Sequence, residues 1–329
     1  MRSAIIGLGA ISTTHYGAIG RAGGEVVAIC DIDEAKITAF CEKTGCHATA
    51  YKDYQALLSD RTIDVIHICT PHYLHADMVV AALRAGHHVL CEKPLCIAEE
   101  DIPRVLAAER ESGKHLGVCH QNRYNESNLA LKAILESDPA KSGFGTVVWD
   151  RGEGYYASGA WRGKWQTEGG GVMINQALHT LDLLLWMVGQ PDSVQADLHN
   201  RHLGGVIEVE DTASALFRYE DGRVFNFFAT TASGADMPVQ VMVATEGGQT
   251  IVAANDTITV NGEIRPSDSG DIRYGKDVWG DGHAKLVRDF YTCIKEDQPF
   301  AIDGREGARV VRAILAMYRS QGKEETLTV

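Results

Sequence analysis

Ser3-Ala4-Ile5-Ile6-Gly7-Leu8-Gly9-Ala10-Ile11-Ser12 reads as a buried strand that turns through glycines directly into a helix. A second apolar run, Val26-Val27-Ala28-Ile29-Cys30, ends at Asp31, the distance downstream at which such a unit places an acid. Each feature has a physical task in binding a dinucleotide. Gly7 permits a tight turn, Gly9 lets the backbone approach a pyrophosphate, and the amides of the following helix offset phosphate charge. Ser12 takes the third position of the fingerprint, where small size is what the contact requires. Asp31 is placed to accept both hydroxyls of an adenosine ribose and to repel a ribose 2'-phosphate. Positions 32 to 35 carry no Arg or Lys, so NAD is expected in preference to NADP.

The chain of 329 residues is long enough for two cores. Its formal charge of -13 argues against nucleic acid or an anionic membrane surface as partner. Eight cysteines are scattered through apolar runs with no CxxC pair and no metal-ligand spacing, so no metal is expected and a reducing compartment is. The first strand begins at once, leaving no room for a signal peptide, and no apolar run reaches the roughly 18 residues that span a bilayer. A cytoplasmic protein is the expectation.

Apolar strand-like runs at Val26 to Asp31, Ala48 to Tyr51, Val65 to Thr70, His88 to Cys91 and Leu116 to His120 alternate with amphipathic helical segments. This rhythm predicts a parallel sheet covered by helices, ending near residue 121. Beyond it, longer strands are expected at Thr146 to Tyr155, Asp211 to Tyr219, Arg223 to Thr231, Val239 to Glu246 and Thr250 to Ala254. Asp221-Gly222, Gly247-Gly248 and Asn261-Gly262 punctuate them as hairpin turns. Helices are predicted at Glu126 to Glu136, Asn175 to Val188, Lys285 to Glu296 and Gly304 to Arg319, on one face of a mostly antiparallel sheet. The uncovered face is then the expected surface for self-association.

Two stretches carry candidate chemistry. Cys91-Glu92-Lys93-Pro94 follows the fifth strand, and a Lys at the carboxyl end of a strand in an open parallel sheet points into the ligand crevice. An exposed Lys paired with Glu92 fits the same residues. In Glu168-Gly169-Gly170-Gly171, followed by Asn175, His179 and Asp182, the three polar residues share one face of the predicted helix. Ile174, Leu178, Leu181 and Leu185 form an apolar stripe about 100° away, leaving the polar line free for a cleft. Ahead of the glycines lies Tyr155-Tyr156-Ala157-Ser158-Gly159-Ala160-Trp161-Arg162. Aromatic faces stack on sugar rings and Arg162 suits a carboxylate or phosphate.

These motifs, in this order and across essentially the whole chain, resemble the Gfo/Idh/MocA family of NAD(P)-dependent sugar and polyol oxidoreductases. The matching residues are Gly7-Leu8-Gly9-Ala10-Ile11, Thr70-Pro71-His72-Tyr73-Leu74-His75, Glu92-Lys93-Pro94, and Gly169-Gly170-Gly171 through His179 and Asp182. The resemblance implies an α/β protein: a Rossmann doubly wound parallel sheet in residues 1–121 and a substrate-binding and oligomerisation α+β domain in 122–329. It implies Lys93 and His179 as the acid/base pair. Gly7, Gly9, Ala10, Ile11, Asp31, Thr70, Pro71, His75, Glu92 and Lys93 are expected at the cofactor. Asn122, Tyr124, Tyr155, Trp161, Arg162, Asn175 and His179 are expected at the substrate. Where many members have Asp, this chain has Asn175.

The expected activity is hydride transfer between nicotinamide and a ring hydroxyl or ketone of a sugar, sugar acid, sugar nucleotide or cyclic polyol. An imidazole with an ordinary pKa of about 6.5 suits a base for the hydroxyl, and a desolvated Lys93 suits the same task. A glycosidase or epimerase with retained NAD and transient oxidation is the alternative, followed by a non-catalytic NAD-dependent regulator. A homo-dimer or homo-tetramer built through the second sheet is expected.

Overall fold

The computed structural model describes residues 1–255, 257–265 and 281–327. Contacts divide the chain into two units, the first comprising Met1–Gln121 and Asp281–Ala308. The second comprises the residues described within Asn122–Gly280 and Arg309–Val329.

The first unit runs β1 Arg2–Ile6, α1 Ser12–Arg21, β2 Glu25–Cys30, α2 Glu34–Thr44, β3 Thr49–Tyr51, α3 Tyr54–Leu58 and β4 Val65–Ile68. It continues through α4 His75–Arg84, β5 His88–Cys91, α5 Asp101–Ser112 and β6 Leu116–Val118. All pairings are parallel, in the order β3-β2-β1-β4-β5-β6. Chain direction across the sheet reverses between β1 and β4, the place where open α/β sheets bind ligands beyond their carboxyl ends. β4 is buried along its whole length, as a strand covered on both faces must be. Local signals set the helix ends: Asp33 caps α2 by accepting the Ala35 N–H, and Gly45 ends it at φ 69°.

In the second unit, α6 Glu126–Ser137, β7 Ala140–Val148, α7 Glu153–Ala157 and α8 Leu178–Val188 precede a series of strands. These are β8 Ser193–His199, β9 Thr212–Arg218, β10 Val224–Thr230, β11 Gln240–Thr245, β12 Thr250–Ala254, β13 Thr257–Val260 and β14 Glu263–Arg265. After α9 Gly282–Glu296 and α10 Gly304–Ser320, β15 Glu324–Thr326 closes the far edge of a sheet ordered β14-β13-β12-β11-β7-β10-β9-β8-β15. Among the described strands of this sheet, only β7 and β10 pair in parallel. Alternating burial along β9, β10 and β11 marks one packed and one open face, and α6 and α8 cover the packed one. All three predicted glycine turns join antiparallel neighbours: β9 to β10, β11 to β12 and β13 to β14.

Four expectations require correction. The strand predicted over Thr146 to Tyr155 ends at Val148 with one further bridge at Asp150, and Tyr155 sits on α7, a short helix that Gly152 opens as its N-cap residue. α9 does not cover the second sheet: it packs on α1 in the first unit, with the Tyr291 hydroxyl bonded to Ser3 and His67. An amphipathic pattern says that a helix needs an apolar surface but not which one. α8 begins at Leu178, not Asn175, because tertiary hydrogen bonds hold residues 168–177 in successive turns. Asp182 does not face a cleft. It is buried in a bidentate pair with Arg123, Oδ2 accepting from Nε at 2.8 Å and Oδ1 from Nη2 at 2.6 Å, since a buried carboxylate requires a counter-charge.

Candidate active site

In the first unit the glycine turn opens at the end of β1. Gly7 takes φ 90°, and a Cβ there would lie 2.7 Å from the Cys69 carbonyl, so this glycine is required by the chain itself. Gly9 differs. Nothing lies within 4 Å of where its Cβ would be, and Gly9 and Ala10 are exposed. Ser12, fully buried, donates to the Gly9 carbonyl at 2.7 Å and completes the turn. Asp31 lies behind it, Oδ2 accepting the Leu8 N–H at 2.9 Å and Oδ1 the Asp33 N–H at 3.0 Å. The first turn of α1 has neither a capping side chain nor an acid; its Ser12 and Thr14 N–H groups bond the Gly9 and Ile11 carbonyls, and the positive end of the helix dipole favours an anion there. An open glycine cradle, an uncapped helix start and an acid behind them fit a dinucleotide.

Thr70 and Pro71 follow β4 beside the glycine turn, both half-buried. His75 is fully buried between two carbonyls, Nδ1 2.6 Å from that of Pro94 and Nε2 2.8 Å from that of Thr70; the neutral ring donates to one of them and the protonated ring to both. It therefore braces the Thr70 and Pro94 turns against each other and reaches a ligand only through them. Burial lowers its pKa. Glu92 also faces inward. Its Oε1 accepts from His15 Nε2 at 2.8 Å, and its Oε2 accepts the Lys93 N–H at 3.2 Å. Burial alone would raise this carboxyl, but hydrogen bonds and charge from His15 and His283 outweigh it and hold it well below the carboxylate range. The Lys93 side chain, by contrast, is half-buried at the carboxyl end of β5.

In the second unit the three glycines are closed by protein. Gly169 and Gly170 have φ 85° and 147°, a Cβ on Gly170 would strike the Tyr318 hydroxyl, and one on Gly171 would lie 1.9 Å from the Glu210 carbonyl oxygen. Buried Glu210 accepts the Gly171 N–H at 2.9 Å, the Met173 N–H at 3.0 Å and the Tyr318 hydroxyl at 3.0 Å. Burial pushes its pKa up to about 7 despite those donors.

Tyr155 gathers the residues predicted for substrate. Its hydroxyl accepts from Arg162 at 2.6 Å, Gln176 at 3.1 Å and Asn175 at 3.3 Å. The Arg162 guanidinium lies 4.4 Å from the centroid of the Tyr155 ring and 4.5 Å from that of Trp161. Asn175 also donates to Glu168, whose other oxygen accepts the Gly163 N–H. His179 is half-buried on the first turn of α8. Asn122 is buried, its carbonyl accepting from Asn128, and Tyr124 is half-buried. Glu168, Gln176, Glu210 and Tyr318 were not singled out by sequence reasoning. A carboxylate immediately before three glycines was a readable signal for Glu168; nothing local marks Glu210.

Residues 1–120 match the family described as "Oxidoreductase family, NAD-binding Rossmann fold", and residues 143–254 match "GFO/IDH/MocA C-terminal domain". Inositol 2-dehydrogenase of Salmonella typhimurium is 31% identical over 193 residues, 58% of this chain and 55% of that one. The match thus spans about half of that relative. Myo-inositol 2-dehydrogenase of Thermotoga maritima is 24% identical over 93% of this chain and 92% of its own. The WlbA dehydrogenase of Bordetella pertussis, solved with NADH and UDP-GlcNAcA, has a TM-score of 0.85 at 30% identity, covering 100% of this chain and 99% of that one. Among the described residues no helix is long and apolar enough to cross a membrane.

Proposed function

Because the chain belongs to the Gfo/Idh/MocA oxidoreductase family, we propose that it is an NAD-dependent dehydrogenase acting on a ring hydroxyl of a sugar, sugar nucleotide, sugar acid or cyclic polyol. The observation that carries this reading is the pairing, within one unit, of a ligand-open Gly9 turn with Lys93 at the carboxyl end of β5. When bound, NAD supplies the hydride acceptor. Gly9, Ala10 and the first amides of α1 hold its pyrophosphate, and Asp31 holds the adenosine ribose and disfavours a 2'-phosphate.

Lys93 and His179 act on the substrate hydroxyl, one removing its proton and the other stabilising the developing alkoxide. Glu92 holds the Lys93 backbone through its N–H. Arg162, backed by Tyr155 and Trp161, recognises an acidic or phosphorylated part of the substrate. The UDP-GlcNAcA in the Bordetella relative supports such a substrate, and the inositol dehydrogenases support a cyclic polyol. Self-association uses the open face of the second sheet, where Phe228 is exposed; gel filtration checks it.

Purified protein screened for NAD reduction against inositols, sugars, uronic acids and UDP-sugars tests the activity. A signal with none of them, or turnover with NADP equal to that with NAD, overturns the corresponding part. Lys93→Met and His179→Ala are each expected to lower turnover at least ~100-fold while largely sparing NAD binding. Near-normal turnover in both overturns the acid/base assignment.

A further inference from the structure

His15, Glu92, Cys119 and His283 come from four separate places in the first unit: α1, the residue after β5, the residue after β6, and the start of α9. Their positions in the chain carry no metal-binding spacing, yet all four are buried and their ligand atoms all lie within 4.8 Å of one another. We propose that they form a buried four-ligand zinc site that ties α9 to the parallel sheet.

The donor set, two imidazoles, one carboxylate and one thiol, suits zinc, which takes nitrogen, sulfur and oxygen ligands in four-coordinate closed sites. Charge balance favours the ion. With zinc bound, Cys119 releases its thiol proton to solvent, and one carboxylate and one thiolate neutralise the divalent cation.

The surrounding shell suits a metal as well. Metal-bound histidines donate their remaining N–H to a fixed partner. With zinc on His15 Nε2, Nδ1–H donates to His67 Nδ1 at 2.9 Å, His67 Nε2–H donates to the Tyr291 hydroxyl at 2.9 Å, and Tyr291 donates to Ser3 Oγ at 2.6 Å. One tautomer assignment thus satisfies the whole buried chain. His283 Nε2 lies 3.8 Å from Glu92 Oε1 and His15 Nε2 lies 2.8 Å from it. Bonds of about 2.0 to 2.3 Å to one centre place ligand atoms at the corners of a tetrahedron roughly 3.3 to 3.7 Å apart, so zinc would spread the His15–Glu92 pair and draw the more distant donors in.

The same side chains also satisfy one another by hydrogen bonds alone, and metal content distinguishes the two states. Full-length protein expressed with added zinc and dialysed exhaustively against metal-free buffer is expected to retain about one zinc per chain by mass spectrometry. Zinc-edge absorption is expected to show one sulfur at about 2.3 Å with nitrogen and oxygen ligands at about 2.0 Å. Cys119→Ser and His283→Gln, checked for folding by circular dichroism, are expected to lose most of the metal. Wild-type protein that retains no zinc, a ligand shell without sulfur, or full retention in both folded variants overturns the proposal. Should the variants not fold, the wild-type stoichiometry and absorption spectrum decide it.

Discussion

The two glycine turns use the same parts to opposite ends. Each is backed by a buried carboxylate that accepts two backbone N–H groups, Asp31 behind Gly7–Gly9 and Glu210 behind Gly169–Gly171. In the first turn the space left by Gly9 is open, whereas in the second the spaces left by Gly170 and Gly171 are filled by Tyr318 and the Glu210 backbone. A glycine run therefore marks close approach without saying of what. The first turn is left open; the second is a packing device placed just ahead of α8 and His179.

Substitutions at the two turns test this contrast. Gly171→Ala is expected to destabilise the second unit by about 3 kcal/mol or more, because its Cβ would meet the Glu210 backbone with no flexible neighbour to yield. Urea unfolding measures it, and a midpoint like that of the wild type would show that the turn is not closed.

Glu210→Gln is the next largest. It leaves one of three buried donors poorly matched and is expected to cost about 1 to 2 kcal/mol at pH 8. The variant also changes the pH dependence. A carboxyl whose pKa rises from 4.5 to about 7 on folding contributes stability that is fully present below pH 4.5 and lost as pH climbs through 7. Unfolding free energies measured from pH 4.5 to 8 are expected to fall less steeply in Glu210→Gln than in wild type. Parallel curves would remove Glu210 as the titrating group.

Gly9→Ala has the smallest expected effect on stability, within about 0.5 kcal/mol, since its Cβ enters open space. NAD affinity, measured by calorimetry, is expected to drop at least about tenfold, a loss of about 1.4 kcal/mol. Unchanged affinity would remove Gly9 from the cofactor cradle.

Much of the fold was legible because its signals are local. The strand, glycine and helix of residues 3–12 lie within one window, and the Asp-Gly, Gly-Gly and Asn-Gly pairs mark hairpins by their own backbone preferences. The candidate site was legible to the extent that motif residues act near their own positions: Lys93 does follow β5, and Tyr155, Arg162 and Asn175 do meet. The predicted polar line from Asn175 to Asp182 is broken at both ends, Asn175 lying ahead of α8 and Asp182 turned inward, for two long-range reasons. Glu210 holds the preceding turns out of the helix, and Arg123, 59 residues away, takes Asp182 into the interior.

The sequence by itself determined the parallel sheet, its glycine turn and the acid behind that turn, because strand burial, turn geometry and helix start are written in adjacent residues. Only the tertiary structure decided that α9 packs on α1 in the first unit, that Glu210 and Tyr318 close the second turn, and that His15, Glu92, Cys119 and His283 meet. Those outcomes depend on which distant surface satisfies an apolar face or a buried polar group, and no local pattern encodes the partner.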